Sequence, residues 1–75
     1  MTIWQSLSTA SIQDTTERIA WLERHAPEMS PSERRYALID VAMRIAWLAA
    51  RSDTPGARAL VAMLHVRFQQ LEAST

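Results

Sequence analysis

Apolar residues recur along this chain at helical spacing, and the breaks between them are sharply punctuated. Ser30-Pro31-Ser32-Glu33 combines an N-cap serine, proline at the first helical position and the glutamate of a capping box. Thr54-Pro55 marks a second start, and Asp14-Thr15-Thr16-Glu17 a third, with Ser11-Ile12-Gln13-Asp14 competing one turn earlier. Pro27 pushes the residue before it out of the α region and ends the first helix. The pattern predicts three helices, at about 12–26, 31–51 and 55–71, with Ile3, Trp4 and Leu7 forming one extra turn that folds back onto them. Links this short favour antiparallel neighbours. The expected fold is all-α: a small antiparallel three-helix bundle forming a single domain over residues 1–75.

The three helices differ in how much apolar surface they carry. On the first, Ile12, Ile19, Leu22 and Ala26 share one line, with Trp21 off it. On the third, Ala57, Leu60, Val61, Leu64, Phe68 and Leu71 form one stripe opposite Arg58, His65, Gln69 and Glu72. The central helix carries two stripes. Leu38, Val41, Ala42, Ile45 and Leu48 fill one, and Tyr36, Ile39, Met43, Ala46, Trp47 and Ala50 lie beside it. Only Glu33, Asp40, Arg44 and Arg51 form a polar edge, so apolar residues span roughly two-thirds of the circumference, against a little over 100° on a surface helix. Two neighbours in a bundle cannot cover that arc. The pattern predicts a homodimer with the central helix at its interface, the first stripe serving the core and the second meeting another chain.

Composition sharpens this picture. The chain has 75 residues, close to the size at which one core yields only a few kcal/mol. It has no cysteine, so neither a disulfide nor a thiolate metal site supplements that core. The formal net charge is zero, which argues against nucleic acid as the main ligand. No run of about 18 uncharged apolar residues exists, because Asp40 and Arg44 interrupt the best one, so no membrane span is expected. The start lacks the basic and apolar regions of a signal peptide. These features lead to the expectation of a cytoplasmic protein. All eight cations are arginine, a usage that fits a GC-rich bacterial genome.

No reaction is written in these residues. His25 and His65 lack further ligands at metal spacing, and a single glycine, Gly56, excludes a glycine-rich phosphate loop. Asp14, Glu17 and Glu23 do not form the convergent carboxylate pair that acid–base chemistry uses. The expectation is a non-enzymatic protein without cofactor or metal, which binds itself and another protein as a bacterial or phage regulator, inhibitor or adaptor. Tyr36, Ile39, Asp40, Met43, Arg44, Trp47 and Arg51 are the candidate interface.

Trp4, Trp21, Arg34, Arg35 and Arg67 are secondary candidates. Trp21 and Trp47 are either interface anchors or boundary residues stacked on Arg18, Arg44 or Arg51. Asp40 and Arg44, four apart, are either a solvated pair or an interface edge. Arg34 and Arg35 sit where the helix dipole disfavours cations, so they serve either a solvated face or an acidic partner; on the alternative reading, a DNA-associated regulator, they meet phosphate. Arg67 either snorkels or meets a carboxylate such as Asp40 across the dimer. One internal echo, Arg-Ile-Ala-Trp-Leu, occurs at 18–22 and 44–48 and reads as coincidence or a local duplication.

Overall fold

The computed structural model describes the backbone of residues 2–74 and the side chains of residues 12–74. Three helices, α1 (Thr2–His25), α2 (Pro31–Arg51) and α3 (Pro55–Ala73), pack each against the other two. No strand occurs among the described residues. The predicted starts of α2 and α3 are the observed ones. The Ser30 hydroxyl accepts from the Glu33 backbone N–H at 3.2 Å, and the Glu33 carboxylate accepts from the Ser30 N–H at 3.4 Å. Thr54 caps α3 by accepting from the Ala57 N–H at 3.2 Å.

The first helix differs from expectation at its start. It runs unbroken from Thr2, with neither a separate N-terminal turn nor a start at Asp14. The residues that resemble caps are used inside the helix. Thr16 donates its hydroxyl to the Ile12 carbonyl at 2.8 Å, and the Asp14 carboxylate accepts from Arg18 at 2.8 Å. At the other end the α-helix stops at His25, as the proline predicts, and a short 3-10 turn, Ala26–Glu28, follows and keeps Ala26 buried. The expected packing of Ile3, Trp4 and Leu7 concerns side chains outside the described residues.

The core is one cluster drawn from all three helices: Ile19, Leu22 and Ala26; Val41, Ile45 and Leu48; Val61, Leu64, Phe68 and Leu71. The stripe of α2 expected to face inward does so, with Leu38 and Ala42 at its margin. On α3 the expectation fails at one residue. Leu60 is half exposed, one position off the line of Val61, Leu64 and Phe68, and each helix of a three-helix bundle has only two neighbours to cover it.

The internal echo extends beyond its five identical residues. Asp14 precedes Arg18 by four positions, as Asp40 precedes Arg44, and a stacking partner follows each tryptophan by four, His25 and Arg51. Because α1 and α2 are antiparallel, the copies face each other about a local pseudo-twofold axis. Equivalent positions are buried alike: Ile19 with Ile45, Leu22 with Leu48, Thr15 with Val41. The last pair is chemically mismatched. Thr15 is 0 % exposed and its hydroxyl has no hydrogen-bond partner, whereas Val41, of nearly the same shape, has nothing to satisfy.

An unpaired buried hydroxyl costs about 1–3 kcal/mol. Thr15→Val should therefore stabilise the protein by about 1 kcal/mol and raise Tm by about 4–8 °C in thermal unfolding followed by circular dichroism. Val41→Thr should act in the opposite direction. A lower Tm for Thr15→Val would mean the hydroxyl has a role the core does not reveal.

Candidate functional site

The face shared by α1 and α2 carries an ion quartet built from both copies of the echo. The Asp14 carboxylate accepts from Arg18 Nε at 2.8 Å and from Arg44 Nη1 at 3.1 Å. The Asp40 carboxylate accepts from Arg44 Nε at 3.0 Å and lies 3.6 Å from Arg18 Nη1. Asp40 and Arg44 are thus not an isolated solvated pair, because both also meet the matching pair on α1. Each helix supplies one acid and one base, so the four charges alternate and cancel. The Asp14 hydrogen bond holds the Arg18 guanidinium still more firmly protonated. Asp14 and Arg18 are absent from the sequence-based candidates, although an acid four residues before each arginine of the echo is the available signal.

A tryptophan flanks the quartet on each side. Trp21 is 48 % exposed and packs on the His25 ring, centroids 4.6 Å apart, in place of the arginines considered for it. Trp47 is half-buried against the core, with the Arg51 guanidinium 4.2 Å from its ring centroid. Each borders an open groove: one of about 350 Å³ includes Arg18, Trp21 and Ala37, and one of about 390 Å³ includes Thr15, Arg44 and Trp47. Both grooves are shallow, without the enclosure of a small-molecule site.

The remaining interface candidates divide clearly. Tyr36, Ile39 and Met43 project outward from α2 at 79 %, 53 % and 68 % exposure, with Ala46 and Ala50 exposed on the same line. Arg35 is exposed and borders a groove with Tyr36 and Ile39. Arg34 is half-buried where α2 meets α3, beside Leu38, Phe68 and Glu72. Arg67 meets a carboxylate, but that of Glu23 on α1 within the same chain, at 2.6 Å, and not Asp40 across a dimer. This pair raises the Arg67 pKa and lowers that of Glu23 through their hydrogen bond. Trp4 lies outside the described side chains. A second outward apolar strip, Leu60, Met63 and Val66 on α3, is missed by periodicity, which assigns Leu60 to the core.

Among the described residues no group of three or more His, Cys, Asp or Glu side chains converges, and no helix is long and apolar enough to cross a membrane. Comparison with models of known protein families, with curated proteins and with solved structures finds no match to this chain. The functional reading therefore rests on geometry.

Two consequences can be measured. The quartet is about half exposed, so each pair contributes at most about 1 kcal/mol. A double-mutant cycle of Asp14→Asn and Arg44→Gln should give a coupling of about 0.5 kcal/mol that shrinks in molar salt. A coupling of zero at low salt would remove the quartet as a register device. For Glu23, a depressed folded-state pKa stabilises the protein above the ordinary carboxylate range, and that contribution disappears as pH falls through the folded value. Urea midpoints measured across acid pH should therefore fall less steeply for Glu23→Gln than for the parent.

Proposed function

We propose that this protein is a small non-enzymatic interaction module that associates with itself through the outward face of α2. Its biological output is contact with another protein, as a regulator, inhibitor or adaptor. One observation carries this reading. The pseudo-twofold axis matches each outward position of α2 to one of α1, so the molecule contains its own control. Where α2 has Ile39, Met43 and Ala50, α1 has Gln13, Glu17 and Arg24. The inward residues coincide at Ile19 and Ile45 and at Leu22 and Leu48, because the same core selects them, with Thr15 against Val41 the exception. The outward residues are not constrained by that core: α1 is polar at the positions matching Ile39, Met43 and Ala50 and carries alanine at those matching Tyr36 and Ala46, while α2 is apolar at all five.

Exposed apolar side chains of this size mark interaction surfaces when they are contiguous. Covering Tyr36, Ile39 and Met43 would gain roughly 1.5–3 kcal/mol apiece, large against the stability of so small a domain. Binding of nucleic acid has less support. Arg18, Arg44 and Arg67 are held by carboxylates, Arg58 by the Ser52 carbonyl and Arg51 by Trp47, so few cations remain to form a phosphate-binding face.

The internal control also defines the test. Ile39→Gln combined with Met43→Glu gives α2 the residues that α1 already carries in solvent. Sedimentation equilibrium at micromolar concentration should show the parent self-associating and the double variant monomeric, with the variant keeping its helical circular dichroism. A parent that stays monomeric, or a variant that still pairs, would sink the proposal.

A further inference from the structure

We infer that the occupant of the α2 face is the α2 helix of a second copy, laid antiparallel in a single register. The inference rests on the self-association proposed above and adds direction and residue pairing. Its basis is the spacing of the outward positions. Ser32, Tyr36, Ile39, Met43, Ala46 and Ala50 follow one another by four, three, four, three and four. That is the alternation of a coiled-coil seam, sustained along nearly the whole of Pro31–Arg51. All six are exposed.

Side-chain size runs downhill along this seam, from Tyr36 through Ile39 and Met43 to Ala46 and Ala50. In a parallel pair each residue meets its own copy. Tyrosine then faces tyrosine at one end and alanine faces alanine at the other, so the helices would have to splay. In an antiparallel pair the tyrosine faces an alanine and the two mid-sized residues face each other. Ser32 meets Ala50 of the second copy, Tyr36 meets its Ala46, and Ile39 meets its Met43, with the same three contacts repeated by symmetry. The four inner layers then have similar volumes, and the small Ser32–Ala50 layers close the two ends. Sliding by one heptad leaves either Tyr36 or both alanines without a partner, so the register is unique.

Charge points the same way. The antiparallel arrangement brings Glu33, in the first turn of α2, toward the Arg51 of the second copy, which lies over Trp47. It also sets opposite helix dipoles side by side. The parallel alternative would match Arg35 with Asp40 of the second copy, but the charge of Asp40 is already met by two arginines, Arg44 and Arg18, whereas Glu33 is held only by the uncharged Ser30 cap. Complete covering of the exposed parts of Tyr36, Ile39, Met43, Ala46 and Ala50 would remove at most roughly 500 Å² per copy, about 1,000 Å² for the pair, the lower bound for a specific interface. The pairing is therefore weak and reversible.

Spin labels test the direction directly, and a chain without cysteine accepts them cleanly. Ala49 is exposed and lies beside the seam, so Ala49→Cys carries a label without filling a layer. With a rise of about 1.5 Å per residue and helix axes about 8–10 Å apart, antiparallel pairing places two Ala49 positions about 25 Å apart. Mixing chains labelled at Arg35→Cys and Ala49→Cys should give a cross-distance of about 10 Å, close to the axis separation itself. Parallel pairing inverts both, to about 10 Å between like labels and roughly 23 Å between unlike ones. The inverted result would overturn the direction inferred here and leave self-association standing. Absence of any dipolar coupling at millimolar chain would overturn both. Loss of the longer distance in the Ile39→Gln, Met43→Glu background would tie the signal to the seam.

Discussion

Everything in this molecule depends on α1 lying antiparallel to α2 in one register. Magnitudes separate what holds that register from what selects it. Ile19, Leu22, Val41, Ile45 and Leu48 are buried where the two helices and α3 meet, and each contributes on the order of 1.5–3 kcal/mol. The four charges above them contribute less than one such side chain, because they are half exposed. Burial therefore supplies the stability. Yet apolar stripes tolerate a slide of one helical turn better than charges do, and such a slide would separate Asp14 from Arg44 and Arg18 from Asp40. The quartet acts as a register mark on a core that would otherwise be permissive. The third helix then packs into the groove that α1 and α2 form, tied back by Arg67 to Glu23.

Legibility in the sequence follows the uniqueness of each signal. Ser30-Pro31 and Thr54-Pro55 have one good structural use each, and the helices begin there. Asp14 and Thr16 have two. As isolated residues they favour a helix start, but in the bundle Asp14 is worth more opposite Arg44, and Thr16 satisfies itself on the Ile12 carbonyl. Tertiary context overrides local preference, and α1 runs through. The outward set Tyr36, Ile39 and Met43 is visible because α2 has two complete apolar stripes and only one can face inward. Half of the quartet is visible for the opposite reason: Asp40 and Arg44 are local, whereas their partners lie on another helix. Leu60 is misplaced because a periodic pattern reports an apolar arc without saying how much of it neighbours will cover.

The echoed segment lets the outward face of α2 be compared with that of α1 at matched positions. An exposed apolar residue alone says little, since folded surfaces are largely apolar. A comparison at matched positions says more. The two copies share a scaffold, a core-facing set and a local environment, so differences between them report on what lies outside the chain. Inward they agree at Ile19 and Ile45 and at Leu22 and Leu48; outward they change from Gln13 and Glu17 to Ile39 and Met43. Polar residues at the outward positions are therefore compatible with this fold, because α1 carries them. The apolar choice on α2 leaves Tyr36, Ile39 and Met43 more than half exposed in the isolated chain, and under the proposed self-association its benefit lies in being covered. A covered face also links assembly to folding. Whatever binds only the folded chain stabilises it by mass action, so under the proposed pairing the concentration of copies would help set how much protein is folded.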